Sequence, residues 1–309
     1  MTIRAARARA GDRDSPPGPE AAMFAREQYE LIDFGDGRKL ERFGLHTIDR
    51  PAPAARAPRA LAARWAEASA RFDEPRLGTS GRWSGPLADC AAADARWTVA
   101  HPPMRFELRL ASSGQVGVFP EQAANWDWLA DRVRGASEPI RVLNLFAYTG
   151  GSTMACALGG AAVTHVDASR SAVAWARANA DASDMPHDRV RWLVEDARRF
   201  VEREIRRRRR YDAVVLDPPT FGRGPRGETW SFESDMPGLL THCRALLVPM
   251  PRFILLTGHT TNLPATRIRD LLALALPNGA THSIDVERLA LQRPDGAELW
   301  SGWSGKMKG

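Results

Sequence analysis

From residue 140 to residue 256 the chain alternates short apolar runs with segments of helical spacing, and few folds accommodate that rhythm. Residues 140–146, 162–166, 190–194, 213–216 and 253–256 have the length and composition of strands, and 153–158, 171–182, 198–207 and 239–247 those of helices. Apolar strands separated by single helices predict an α/β fold: a Rossmann-like, mainly parallel sheet with helices on both faces. Residues 121–134, with Trp126, Leu129, Ala130 and Val133 at helical spacing, predict one further helix. Residues 284–291 and 299–303, around Pro294-Asp295-Gly296, predict a closing hairpin.

The material before this domain has a different texture. Residues 1–23 are rich in Ala, Arg, Gly and Pro without an apolar period, which predicts a disordered basic tail. Residues 24–119 are expected to form a small β-rich N-terminal module, leaving 120–309 for the α/β domain. Short alternating runs flank Asp36-Gly37, as in a hairpin, and residues 60–72 have helical spacing. Residues 97–99, 106–110 and 115–118 are strand-like, the last two joined by Ser112-Ser113-Gly114.

Composition narrows the function classes. The formal charge of +6 favours an anionic partner such as nucleic acid, although an Arg-rich composition explains it equally well. Three cysteines form no C-x-x-C pair and seven histidines are scattered, so metal-free chemistry is expected. No apolar run is long enough to span a bilayer, and the N-terminus lacks a signal pattern, so the expected location is cytoplasmic.

The candidate site residues stand at successive strand ends. The first strand ends in Asn144-Leu-Phe-Ala-Tyr-Thr-Gly-Gly151. It lacks the dinucleotide G-x-G-x-x-G and the phosphate-binding Lys-Ser/Thr, which disfavours NAD and ATP. Its bulky Phe146, Tyr148 and Thr149 suit a ligand without a pyrophosphate. The second strand stops at Asp167, a carboxylate able to accept both hydroxyls of a ribose, or to cap the following helix. The third stops at Asp196, able to accept from an adenine amino group. The fourth gives Asp217-Pro218-Pro219-Thr220-Phe221. There a carboxylate and a Pro carbonyl can accept from an aromatic amine, and Phe221 offers a face for a base.

Taken together, Asn144–Gly151, Val166-Asp167-Ala168-Ser169, Glu195-Asp196-Ala197 and Asp217–Phe221 resemble class I S-adenosylmethionine-dependent methyltransferases. More narrowly, residues 116–256 are similar to bacterial large-subunit ribosomal RNA methyltransferases of the RlmI/RlmK type. The resemblance implies S-adenosylmethionine as cofactor and RNA as partner. It also implies that Asn144 and Phe146, Ala147, Tyr148, Thr149 and Gly150 hold the methionine part. Asp167 with Ala168 would hold the ribose, Asp196 with Ala197 the adenine, and Asp217, Pro218, Pro219 and Phe221 would face the target base. The segment Gly117-Val-Phe-Pro-Glu-Gln122 resembles the family's link between modules and implies Gln122 in the methionine pocket.

One departure bears on chemistry. Methylation at a pyrimidine carbon needs a cysteine nucleophile, which family members of that activity carry after the strand equivalent to 253–256. Residues 255–262 here, Leu-Leu-Thr-Gly-His-Thr-Thr-Asn, contain none. Cys156 and Cys243 fall within expected helices, as small core residues. A base nitrogen is therefore the expected target. Two rivals stay open: a small-molecule or protein methyltransferase with the same pocket, and an RNA-binding protein with a vestigial one. The loop Gly222-Arg-Gly-Pro-Arg-Gly227 is a candidate phosphate clamp or an ordinary surface loop, and Arg206–Arg210 ends an expected helix, where favourable placement at the C-terminus explains it.

Overall fold

The structure is a computed structural model that describes residues 24–74, 81–90, 96–224, 227–260, 262–276 and 282–309; the tail expected over 1–23 lies outside the described residues. An N-terminal sheet comes first, of β1 (Tyr29–Gly35), β2 (Arg38–Phe43), β3 (His46–Pro51), β4 (Ala70–Asp73) and β5 (Arg82–Ser84), in that spatial order. The short α1 (Pro86–Asp89) and a hairpin of β6 (Trp97–His101) and β7 (Met104–Leu108) follow. Next come α2 (Ala123–Arg134), β8 (Arg141–Leu145), α3 (Gly151–Leu158), β9 (Ala162–Asp167) and α4 (Arg170–Ala182). The alternation continues through β10 (Val190–Val194), α5 (Ala197–Arg206) and β11 (Ala213–Leu216). A small hairpin, β12 (Phe221–Arg223) and β13 (Thr229–Ser231), precedes α6 (Phe232–Leu246), β14 (Phe253–Gly258) and α7 (Ala265–Leu274). The described chain closes on β15 (Ser283–Gln292) and β16 (Glu298–Lys308).

Seven of these strands form the central sheet, in the order β10-β9-β8-β11-β14-β16-β15. The first five run parallel, and β16 pairs antiparallel with both β14 and β15. Every residue of β11 and β14 is buried, as parallel strands covered on both faces require. From β8 the chain winds one way through β9 and β10, then returns to lay β11 on the other side of β8. That reversal opens a crevice at the carboxyl ends of β8 and β11, where ligands of such sheets bind.

The helices explain where charge goes. In α5, Ala197, Phe200, Val201 and Glu204 are buried at helical spacing, so its arginines point away from the sheet. Because α5 starts at the tip of β10 and runs back, Arg206–Arg210 lies at the opposite end of the sheet from the crevice. The expected Asp36-Gly37 hairpin is present, with positive φ at both residues (52° and 75°), as a two-residue turn between twisted strands demands. Phe24, Phe43 and Phe106 share one apolar cluster with Trp126, Leu129, Val142 and Phe253, so the N-terminal sheet and the central sheet pack on common ground.

Four segments differ from the sequence reading. Residues 60–72 are not a helix but a short 3-10 turn, Ala62–Glu67, followed by β4. The buried Asp33 carboxylate takes the Leu61 amide and the Trp65 indole N–H, both at 2.8 Å, and that tertiary demand overrides the helical spacing. Residues 115–118 bond back through Arg109 N to Val116 O and Ala111 N to Gln115 O, closing a hairpin without a full strand. The helix expected over 239–247 begins earlier, at Phe232. Finally, α7 was not among the expected helices, although Ile268, Leu271 and Leu272 are buried at helical spacing.

Candidate active site

The turn after β8 is conformationally unusual. Phe146 and Tyr148 have φ of 56° and 47°, and Gly150 has 89°. Each non-glycine residue in that region costs of order 1–3 kcal/mol and persists only where surroundings hold it. Here Ala147 N donates to Val166 O at 3.1 Å and Tyr148 N to Asp167 Oδ2 at 2.9 Å. Thr149 Oγ1 donates to Gly117 O at 2.7 Å, and the Phe146 ring rests 4.7 Å from that of Trp230. Asn144, buried on β8, donates from Nδ2 to Thr153 Oγ1 at 2.8 Å.

At the tip of β9, Asp167 accepts from Tyr148 N and, at 2.8 Å, from Ser169 N. Burial raises its pKa above the ordinary carboxylate value, against the pull of those two amides. A desolvated carboxylate with acceptor sites to spare is what a diol such as a ribose satisfies, so the residues present fit the cofactor. Capping of α4 falls to Ser169, whose hydroxyl accepts from Ala172 N at 3.2 Å. Ala168 sits half-buried between the two. At the next tip, Asp196 caps α5 through Oδ1, which accepts from Arg199 N at 3.1 Å, and Ala197 is buried in the first turn.

The densest constellation surrounds Asp217, directly after β11. Its Oδ1 accepts from the Thr257 hydroxyl and faces His259 Nε2 at 2.9 Å, and its Oδ2 accepts from Gln122 Nε2 at 3.2 Å. Gln122 is itself held by Asn125 Nδ2 at 2.7 Å, and Asn125 Oδ1 by Ser304 Oγ at 2.7 Å. Nδ1 of His259 lies 2.7 Å from the Ser301 carbonyl. Burial works against charge on His259, yet the Asp217 carboxylate and the Ser301 carbonyl prevail and raise its pKa to about 9. The Pro219 carbonyl accepts from Trp230 Nε1 at 2.8 Å. The Pro218 carbonyl receives no hydrogen bond among the described residues, and Phe221 is 75% exposed.

Gln122, Asn144, Phe146, Ala147, Tyr148, Thr149, Gly150 and Asp217 line one narrow cleft, walled by Phe119 and Trp126. The Phe119 and Tyr148 rings stand 5.5 Å apart at its wall. Asp167, Ala168, Asp196, Ala197, Pro218, Pro219 and Phe221 are not in the cleft wall; they occupy the neighbouring strand tips. His259, Thr257 and Trp230 were not singled out from sequence. Applying the strand-tip rule to the fifth strand would have flagged His259. A broader hollow of about 660 Å³ lies between the last turns of α5 and α6, beside Arg206 and His242, and includes none of these residues.

Cys156 and Cys243 are buried, and burial pushes both thiols up, Cys243 to about 12. Neither lines the cleft. No group of three or more His, Cys, Asp or Glu side chains suited to a metal ion occurs among the described residues, and no described helix is long and apolar enough to cross a membrane. Residues 225–226 of the glycine-rich loop lie outside the described residues.

Comparison with known proteins adds four findings. The family model for S-adenosylmethionine-dependent methyltransferases matches residues 87–273. The ribosomal RNA large subunit methyltransferase K/L of Pseudoalteromonas translucida is 38% identical over 147 residues, which is 47% of this chain and 20% of that protein. The match thus spans a fifth of that relative's length. The crystal structure of the SAM-dependent methyltransferase from Agrobacterium tumefaciens superposes with a TM-score of 0.83 at 33% identity, covering 94% of this chain and 91% of that one. SMU.776 complexed with SAH shares the fold, with a TM-score of 0.72 at 18% identity over 91% of this chain and 75% of that one.

Proposed function

Because this chain belongs to the family of S-adenosylmethionine-dependent methyltransferases, we propose that it methylates a base nitrogen of structured RNA, with ribosomal RNA as the first candidate. One observation carries the reading: Asp217 lines the cleft, while Phe221, on the segment directly after it, stands 75% exposed. That juxtaposition offers a carboxylate acceptor for an aromatic amine and an aromatic face for its ring. The name of the Pseudoalteromonas relative and the net charge of +6 support RNA as the substrate class. The same reading places the protein in the cytoplasm.

When bound, S-adenosylmethionine would supply a methyl group activated by the positive charge of its sulfonium, for transfer to the nitrogen lone pair with release of the surplus proton to solvent. The chain's own residues bind and orient. Gln122, Asn144 and Phe146 to Gly150 take the methionine part, Asp167 with Ala168 the ribose, and Asp196 with Ala197 the adenine. Asp217 Oδ2 and the Pro218 carbonyl accept from the target amine, which helps localise its lone pair. Pro219, tied to Trp230, fixes the segment that carries Phe221. Positioning of this kind supplies much of the rate. Extruding a paired base costs a few kcal/mol, which stacking on Phe221 offsets. Residues 24–119 are the module proposed to contact flanking RNA, and 120–309 the catalytic domain.

The test is mass spectrometry of ribosomal RNA nucleosides from strains with and without the gene, followed by restoration with purified protein and S-adenosylmethionine. A methylated base that disappears and returns supports the reading. Identical nucleoside profiles with methyl transfer to a small molecule would reject it.

A further inference from the structure

His259 stands at the end of β14, beside the tip of β11, and both of its ring nitrogens face acceptors. The Ser301 carbonyl, 2.7 Å from Nδ1, has no proton to give, so Nδ1 carries one. Nε2 faces Asp217 Oδ1 at 2.9 Å. Every other neighbour of that carboxylate is a donor: the Thr257 hydroxyl at Oδ1 and the Gln122 amide at Oδ2. The proton between the ring and the carboxylate therefore belongs on Nε2, making the ring an imidazolium.

The approach of Ser301 is built into the closing hairpin. At Gly302, with φ of 147°, a Cβ would stand 2.4 Å from the Gly258 carbonyl oxygen and 3.0 Å from His259 Nδ1. Only a residue without a side chain lets β16 come this close.

We propose that His259 is a positioning residue for methyl transfer: its imidazolium, anchored on the Ser301 carbonyl, pins Oδ1 of Asp217 and leaves Oδ2 to meet the target amine. This rests on the function proposed above. The charged groups around the ring are Asp217 from the tip of β11 and Glu121 from the turn before α2, both favouring the cation. The ring also balances the charge of the carboxylate in a partly buried pair, so Asp217 is held as an acceptor and is not free to swing away.

Two measurements on the full chain test this. In protein labelled with 15N-histidine, both His259 ring nitrogens should keep imidazolium shifts past neutrality and titrate at about 9, with signals assigned by comparison with His259→Gln. Asp217→Asn should lower that midpoint by about a unit or more, and it supplies the assignment if His259→Gln does not fold. In single-turnover transfer to ribosomal RNA from a strain lacking the gene, His259→Gln should slow the step roughly ten- to a hundredfold. Its dissociation constant for S-adenosylmethionine should stay within about twofold of wild type. A neutral ring at pH 7, or an unchanged rate in folded His259→Gln, overturns the proposal. If wild-type protein leaves RNA unmethylated, the RNA reading fails, while the titration still decides whether His259 is the clamp.

Discussion

The indole of Trp230 packs 4.7 Å from the ring of Phe146 and donates from Nε1 to the Pro219 carbonyl at 2.8 Å. One side chain thus joins the turn after β8 to the segment that follows Asp217, the two halves of the proposed site. Trp230→Phe keeps a ring in place and loses the hydrogen bond, at an expected cost of about 1 kcal/mol. Trp230→Ala loses both, at about 3–5 kcal/mol. Urea denaturation measures the two; equal losses would mean that the ring contact contributes nothing.

Asp167 combines two duties, ordering the Tyr148 amide and presenting acceptors at the tip of β9. Loss of charged hydrogen bonds worth about 1.5–3 kcal/mol each should weaken S-adenosylmethionine binding by Asp167→Ala roughly ten- to a hundredfold or more. Titration calorimetry on the folded variant is the check. Unchanged affinity would place the ribose elsewhere.

A nitrogen target needs no thiol. Replacing Cys90 by Ser and both Cys156 and Cys243 by Ala should therefore leave single-turnover transfer intact, apart from packing losses of about 1–2 kcal/mol visible in thermal melts. Asp217→Ala should reduce the rate about a hundredfold if the acceptor contributes roughly 3 kcal/mol to the transition state. An enzyme–RNA adduct trapped by a 5-fluoropyrimidine would instead reveal a cysteine mechanism.

Asp33 links the N-terminal sheet to the closing hairpin. Its carboxylate is buried and accepts from the Leu61 amide, the Trp65 indole and Arg293 Nη1, each at 2.8 Å. Burial raises its pKa, but the Trp65 and backbone hydrogen bonds outweigh that and hold it below the ordinary value. The unfolded chain therefore takes up the proton first. The stabilisation is complete above the unfolded value of about 3.9 and is lost as pH falls through the lower folded one. In urea titrations at pH 7 and pH 3, Asp33→Asn should cost stability at pH 7 and show a smaller acid-induced loss than wild type. Parallel losses in both proteins would remove Asp33 from the acid transition.

Local pattern was enough wherever a residue's environment is set by its near neighbours in the chain. Val214, Val215 and Leu216 marked a strand covered on both faces, and Asp217 had to emerge at its end. Asp36-Gly37 marked a hairpin because its two positive φ angles are a property of the turn itself. The alternation of elements implied the sheet, and a glycine turn at the first strand tip with acids at the next two suggested a cofactor. Tertiary structure decided which distant groups meet. Residues 60–72 gave up their helical spacing because Asp33, 28 positions before Leu61, claimed their donors. Arg206–Arg210 was assigned to the far end of the sheet only by the direction of α5. His259 meets Asp217 across 42 residues because strand order sets β14 beside β11. Periodicity reports which face of an element is buried; the partners of a buried charge follow from strand order and the path of the crossovers, which no short window of sequence contains.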